Sequence, residues 1–434
     1  MTTLFDTRYY RVTKFFASLV GIWPYLSQFR RTFQQSLSVL IMLTFFPAQI
    51  KKLYDVWGVD LDIMCTCIAP MIAILVSMAK VITSAVFQPQ IEMLLRQIEM
   101  DWEIDPEGEE HKILVEYTLR TRTLSIFYTT MLCNGILSYM LTPVIVPIMD
   151  IIAPKNETRE KHLAFEVEYF GLDQQTYWVW LWLHNNTTLV TCVLNIVGAD
   201  LMYVMFILHA CYLFVCVRHK LESTANTIEQ TFENLIMQPF ENCNYNSKYA
   251  YEDEPWQLKL KKSVAIIKKC AINHQKAIEC VQVLQNIYRW SFLGILGLNL
   301  IVLSFSAVQL VSRLGNWQLV MMSFMFISGT LTHLFFLSLM AQFILDQSSN
   351  IYKSTYACCW YALPLNSQQD VMLILIRSHT PCRIMAGKMF VMSLQNFSSN
   401  VRELHDIRNI FLVNAFLNCN FCSLLREDFF SQKY

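Results

Sequence analysis

The chain has 434 residues, 54% of them hydrophobic and 16% charged, with a mean hydropathy of +0.34. Soluble domains carry about 25% charged residues, so this composition reads as one integral membrane domain rather than two or three soluble ones. Lys plus Arg and Asp plus Glu are both 34, which leaves no basic excess for nucleic acid, while 11 Gly, 12 Pro and 14 Cys exclude collagen, disorder and a disulfide scaffold.

Residues 1–31 hold five basic residues and only a short apolar run near Phe15 to Val20. They carry no cleavable signal peptide and predict a short amphipathic segment on the inner leaflet. About 20 apolar residues cross a bilayer as a helix. The first such stretch is Thr32 to Ile50, closed by Lys51 and Lys52, and it serves as the insertion signal. The second, Ile63 to Phe87, is interrupted only by Lys80, and the third, Thr123 to Ile148, is uncharged. The fourth, Thr187 to Val217, holds Asp200. Trp290 to Ser312 and Leu314 to Leu345 are the fifth and sixth, joined by a tight turn at Arg313. A weak seventh, Met389 to Val401, runs into Arg402, Glu403, His405, Asp406 and Arg408. The expectation is an all-α, seven-transmembrane helical bundle.

With a cytoplasmic N-terminus, the inner segments carry 23 Lys and Arg and the outer ones 6, the bias expected of inside loops. Sequons at Asn156, Asn185 and Asn186 then fall in an outer loop, where glycosylation is possible. In the long inner loop, 217–289, Glu252-Asp-Glu254 precede Pro255 as at a helix start. Leu260, Val264, Ile267, Ala271, Ile278, Val281 and Leu284 then recur at helical spacing and lead into span five. The fourth span likewise continues toward Leu235. These helices either project beyond the bilayer or pack subunits together. The polar turn 236–255 reads as flexible.

No HExxH, GxSxG, Walker loop or GxGxxG occurs, so neither enzyme chemistry nor a cofactor is expected. Cys65 and Cys67 read as packing, and Cys419 with Cys422 is a lone pair too poor for a metal site. Polar residues within spans are costly in lipid. Asp200 reads as a ligand or ion contact or as a helix–helix hydrogen bond. Lys80 is placed to snorkel to the inner surface, His209 to sit at the inner boundary, and His333 to be a satisfied neutral ring. Met, Tyr and Phe in spans two to six suit either packing or an apolar pocket for a small volatile ligand.

Several motifs resemble those of the insect odorant receptor family. Gly21-Ile-Trp-Pro24 resembles the family's pre-span motif, and Gly198-Ala-Asp200 with His209 and Leu221 its fourth span; His274 has a counterpart too. The strongest likeness is C-terminal: Ala341-Gln-Phe343, Ser348-Ser349, Tyr352, Tyr356, Trp360, Leu363-Pro364, Ile374 to Ser378, Pro381, Ala386-Gly-Lys388 and Ser393 to Phe397. The resemblance covers about residues 20–399 and is most specific in the last third. The Thr-Tyr…Gln-Phe signature of the related gustatory receptors is absent.

The resemblance implies an odorant-gated cation channel at the plasma membrane of olfactory dendrites, formed as a tetramer with a co-receptor subunit. This chain resembles the tuning subunit, since the co-receptor has a longer second cytoplasmic loop. Residues 1–31 would be the cytoplasmic start, 32–345 the first six spans, 346–383 the cytoplasmic part of span seven and 384–408 its pore-lining part, with 409–434 an atypical tail. The odorant would enter a pocket in the outer halves of spans two, three, four and six. By depth, that pocket draws on Cys67, Met71, Leu75, Ile136, Tyr139, Met140, Val193, Val197, Asp200, Phe324 and Met325. Val391, Ser393, Gln395 and Ser398 would belong to the pore.

Past Ser399 the likeness ends, because five ionisable groups within 402–408 replace an apolar pore segment. This reads as an altered C-terminus, from an unspliced or mis-joined exon, that bears on the pore and spares the pocket. A G-protein-coupled receptor would instead predict an outer, sequon-bearing N-terminus. A transporter would predict internal repeats or broken helices, and no repeat is found.

Overall fold

The structure is a computed structural model that describes residues 4–57, 61–152, 163, 165, 167–236, 255–312 and 317–406. Among them, six helical stretches are long and apolar enough to cross a membrane: Gln28–Val56, Ile63–Val86, Glu109–Val144, Trp178–Gln230, Lys261–Ser306 and Ser323–Tyr356. They match the six strong spans in order. The helices themselves are α2 (Gln28–Val56), α3 (Leu61–Val86), α5 (Glu109–Leu141), α7 (Trp178–Ile236), α8 (Pro255–Ser312) and α9 (Trp317–Tyr356). Short helices α1 (Arg11–Leu19), α4 (Gln88–Asp101), α6 (Ile145–Ile152), α10 (Leu365–Ser378) and α11 (Leu394–Asp406) complete the set.

The helix at Pro255 begins where the acidic triplet and proline place it, and it runs unbroken into span five. α7 has 59 residues, about 90 Å at 1.5 Å each. That is about three times the hydrocarbon thickness. α7 is also the axis of the bundle. Its most apolar stretch is wholly buried, as expected of a helix that is hydrophobic on every side, and α1, α2, α3, α5, α8 and α9 all pack on it. Cross-links set the directions. Ser77 Oγ donates to Cys192 O and Lys80 pairs with Asp200, so α3 runs parallel to α7. Tyr128 donates to Asp200 and Trp182 to Met140 O, so α5 runs antiparallel. The end of the bundle that carries α1, α4 and α10 is here the near end; α6 and residues 167–177 mark the far end.

At the near end the projecting parts of α7, α8 and α9 form a small core with α10, made of Ala225, Ile228, Ile267, Cys358, Leu363 and Val371. α1 docks on α7 where Gly198 lies. A Cβ at Gly198 would stand 2.7 Å from Val20 Cγ2 and 3.2 Å from Phe16 O, so close approach demands glycine there. Gly21 has φ +74, a left-handed conformation that suits glycine. Its carbonyl accepts from Gln35 Nε2 at 2.8 Å, while Trp23 is buried against Phe5.

Four expectations need correction. First, span seven does not begin as a helix at Met389: Met385–Ala386 pairs antiparallel with Phe390–Val391 as a hairpin, the one strand pairing among the described residues. Gly387 turns it at φ +65 and donates to Arg289 O, and Gln285 clamps both the N–H and the C=O of Met385. Strands of two residues are too short to show any period. Second, span three is helical from Glu109, well before Thr123, and a 3-10 turn at Thr142–Val144 separates it from α6. Third, Lys80 does not snorkel: it is buried and paired with Asp200. Fourth, Asn185 and Asn186 lie inside α7, not in a loop, with side chains 1% and 3% exposed. A buried amide offers no acceptor for glycosylation. Asn156, the turn at Arg313, most of 236–255, Cys419, Cys422 and the tail from 407 lie outside the described residues.

Candidate ligand cavity

A cavity of about 360 Å³, open on one side between exposed Asn134, Ser138 and Phe324, lies within the far half of the bundle. Its walls are α3, α5, α7 and α9, with Phe45 from α2, Phe165 from the far-end segment and Asn299 from α8. Local chemistry opens the space. Pro70 sits inside α3, where proline removes a helix hydrogen bond and bends the chain. Gly135 and Gly329 line the cavity, and a Cβ on either would meet nothing within 4 Å. α3 and α7 are stitched together beside it by Ser77 to Cys192 O (3.1 Å) and Cys192 Sγ to Ala73 O (3.4 Å).

The far end is aromatic. The Phe165 ring lies 5.7 Å from Phe45 and 5.4 Å from Tyr139, centroid to centroid. His184 pins this cover, since its Nδ1 bonds the Tyr169 hydroxyl at 2.7 Å and its Nε2 the Thr44 hydroxyl at 3.0 Å. The near end is polar. Asn299 Nδ2 donates to His333 Nδ1 at 3.4 Å. With the amide nitrogen as donor, Nδ1 accepts and Nε2 faces the other way. That nitrogen lies 3.3 Å from Asp200 Oδ2, without the alignment of a full hydrogen bond. Asp200 Oδ2 also accepts from Tyr128 at 2.6 Å, and Oδ1 accepts from Lys80. Tyr128 stacks on Phe336 with centroids 4.0 Å apart.

Of the eleven pocket residues read from depth, Ile136, Tyr139, Val193, Phe324 and Met325 line the cavity. Cys67 and Val197 are buried in helix packing instead. Leu75 is 43% exposed and faces away. Met71 and Met140 are half-buried outside the lining. Asp200 stands behind His333 and joins α3, α5, α7 and α9, so the structure places it in helix–helix bonding. Depth alone missed Phe45, Phe165, Asn299 and His333. The last two carried a signal, because a polar side chain in an apolar span must have a purpose.

Of the four pore residues, Val391 lies in the hairpin and Ser393 is buried. Both line a second cavity of about 220 Å³ between α8, α9 and α11. Ser398 is half-buried, and Gln395 shares the exposed face of α11 with Ser399 and Arg402. At the near end, His209 joins Asp101 at 3.1 Å, and Lys276 joins the same carboxylate at 2.6 Å. Burial alone would raise the Asp101 carboxyl, but hydrogen bonds and charge from His209 and Lys276 hold it below the ordinary 3.8. No group of three metal-binding side chains converges among the described residues.

Fold and cavity together define a multi-pass helical membrane protein with a largely apolar cavity between its helices. The chain belongs to the 7tm Odorant receptor family, which it matches over residues 60–403; it is therefore a receptor and not an enzyme. Its fold is similar to that of the insect olfactory receptor OR5 from Machilis hrabei solved in complex with eugenol, with a TM-score of 0.71 at 14% identity over 94% of this chain and 98% of that one. A second structure of the same receptor gives 0.65 at 13% identity, covering 94% of this chain and 97% of that one. No curated protein matches the sequence.

Proposed function

We propose that the chain is the tuning subunit of an odorant-gated cation channel, working as a hetero-tetramer with a co-receptor in the plasma membrane of olfactory dendrites. The observation that carries this reading is the largely apolar cavity of about 360 Å³, within the size range of small-molecule sites, in a member of an odorant receptor family. The likeness in fold to a receptor solved with eugenol supports a volatile ligand. The Lys and Arg bias supports a cytoplasmic near end.

A contiguous apolar face on α10, with Leu365, Met372, Leu373 and Ile376 all more than half exposed, supports subunit packing outside the lipid. α11 is the pore helix of this reading, with Gln395 on its exposed face. A ligand that fits the open-state cavity better than the closed one shifts the equilibrium toward open. Expression in oocytes with and without a co-receptor tests the reading: odorant-evoked current that needs both subunits and survives G-protein block is expected. Current that requires G-protein signalling would sink it.

A further inference from the structure

We infer that the polar near end of the cavity, Asn299 with Thr332 and His333, is the point that selects ligands carrying one neutral oxygen, such as an alcohol or a ketone, over hydrocarbons of the same shape. This deepens the odorant-cavity reading and rests on it. Asn299, Thr332 and His333 are 6%, 5% and 6% exposed, and all three line the cavity. Their position along α8 and α9 sets them opposite the Phe45–Tyr139–Phe165 cover, so the cavity is apolar at one end and hydrogen-bonding at the other.

The wall has capacity left to offer. Asn299 uses its amide N–H on His333, and its carbonyl oxygen has no partner among the described residues. Thr332 adds a hydroxyl to the same wall. The Asn299–His333 bond is at the long limit of hydrogen bonding, so a ligand oxygen accepting from Asn299 Nδ2, or a hydroxyl donating to its carbonyl, competes on favourable terms. Free capacity in a buried wall is what lets a site reject an analogue without the matching group. Charge is excluded by the same wall. Lys80 and Asp200 neutralise one another behind His333, and no Lys, Arg, Asp or Glu among the described residues lines the cavity as counter-ion for a carboxylate or an amine.

The test uses the purified full-length chain in lipid nanodiscs with 1-aminoanthracene as a fluorescent occupant, and n-octane, 1-octanol and 2-octanone as competitors. In the wild type all three displace the fluorophore. Asn299→Leu and Thr332→Val each weaken displacement by the octanol or the octanone by about tenfold, the effect of one hydrogen bond lost from a buried site. Displacement by n-octane stays within about twofold, which also shows that each variant is folded. If both variants leave the octanol and octanone curves unchanged, or if n-octane weakens equally, the inference fails and the cavity reading stands. If none of the three displaces the fluorophore from monodisperse wild-type protein, the cavity reading fails with it.

Discussion

Asp200 and Asp101 are both buried carboxylates that face one lysine and one histidine, but water reaches only one of the two clusters. At Asp200, deep among α3, α5, α7 and α9, the lysine and aspartate side chains are 4% and 2% exposed. At Asp101, where α4 meets α7 and α8 near the end of the bundle, Lys276 keeps 40% of its side chain exposed. The attractions are alike; the alternatives are not. A charge stranded at the first site stays stranded in an apolar interior, whereas Lys276 can turn back to solvent. Desolvation, rather than the count of partners, should therefore decide how much each cluster matters.

The largest effect follows from stranding Lys80. Asp200→Asn keeps the shape but removes the counter-ion, and a broken buried pair costs about 3–5 kcal/mol. Loss of the monodisperse peak on size-exclusion of detergent-solubilised protein, or a steep fall in melting temperature, is the expected result. The double change Lys80→Met with Asp200→Leu removes both charges and should restore most of that stability, since matched apolar replacement of a buried pair is often close to neutral. A melting temperature unchanged in Asp200→Asn alone would mean that water reaches the site, and the contrast with Asp101 would collapse.

Asp101→Asn should cost less, about 1–3 kcal/mol for hydrogen bonds to charged partners, and it should add a signature in pH. The Asp101 carboxyl is held below its ordinary 3.8 in the folded state. A depressed carboxylate stabilises the fold above the unfolded value and loses that contribution as pH falls through the folded one. The melting gap between wild type and Asp101→Asn should therefore be full at neutral pH and shrink below about pH 4. A gap that stays constant into acid would show that Asp101 acts by packing alone.

The spans could be read from the letters because each is a run near bilayer length with few charges, a signal that tertiary context hardly alters. The start of the near-end helix at Pro255 was as clear, since acidic residues and proline mark a helix entrance. The cavity was half legible for a geometric reason. Depth in the membrane gives the layer of a residue but not its phase around the helix, and one residue turns the face by 100°. Tyr139 thus lines the cavity and Met140 does not; Leu75 lies at the right depth and points outward. Phe165 was invisible because it belongs to a segment without periodicity. The Gly198 motif was visible as a pattern, but its reason, the close approach of Val20 and Phe16, needed coordinates.

The smallest expected effect draws the contrast most sharply. Lys276→Met removes the partner that is itself partly in water. Its pairing has the character of a surface ion pair, worth about 0–1 kcal/mol, and the methionine stem keeps the apolar contacts of the lysine chain. His209 continues to hold Asp101 from the other side at 3.1 Å. The melting temperature should move by only a few degrees, and raised salt should narrow even that difference, because an accessible pair is screened. A loss as large as that of Asp200→Asn would show that the near-end cluster is sealed from water when the receptor is assembled. The exposure of Lys276 would then belong to the isolated chain, and a neighbouring subunit or lipid would have to cover it.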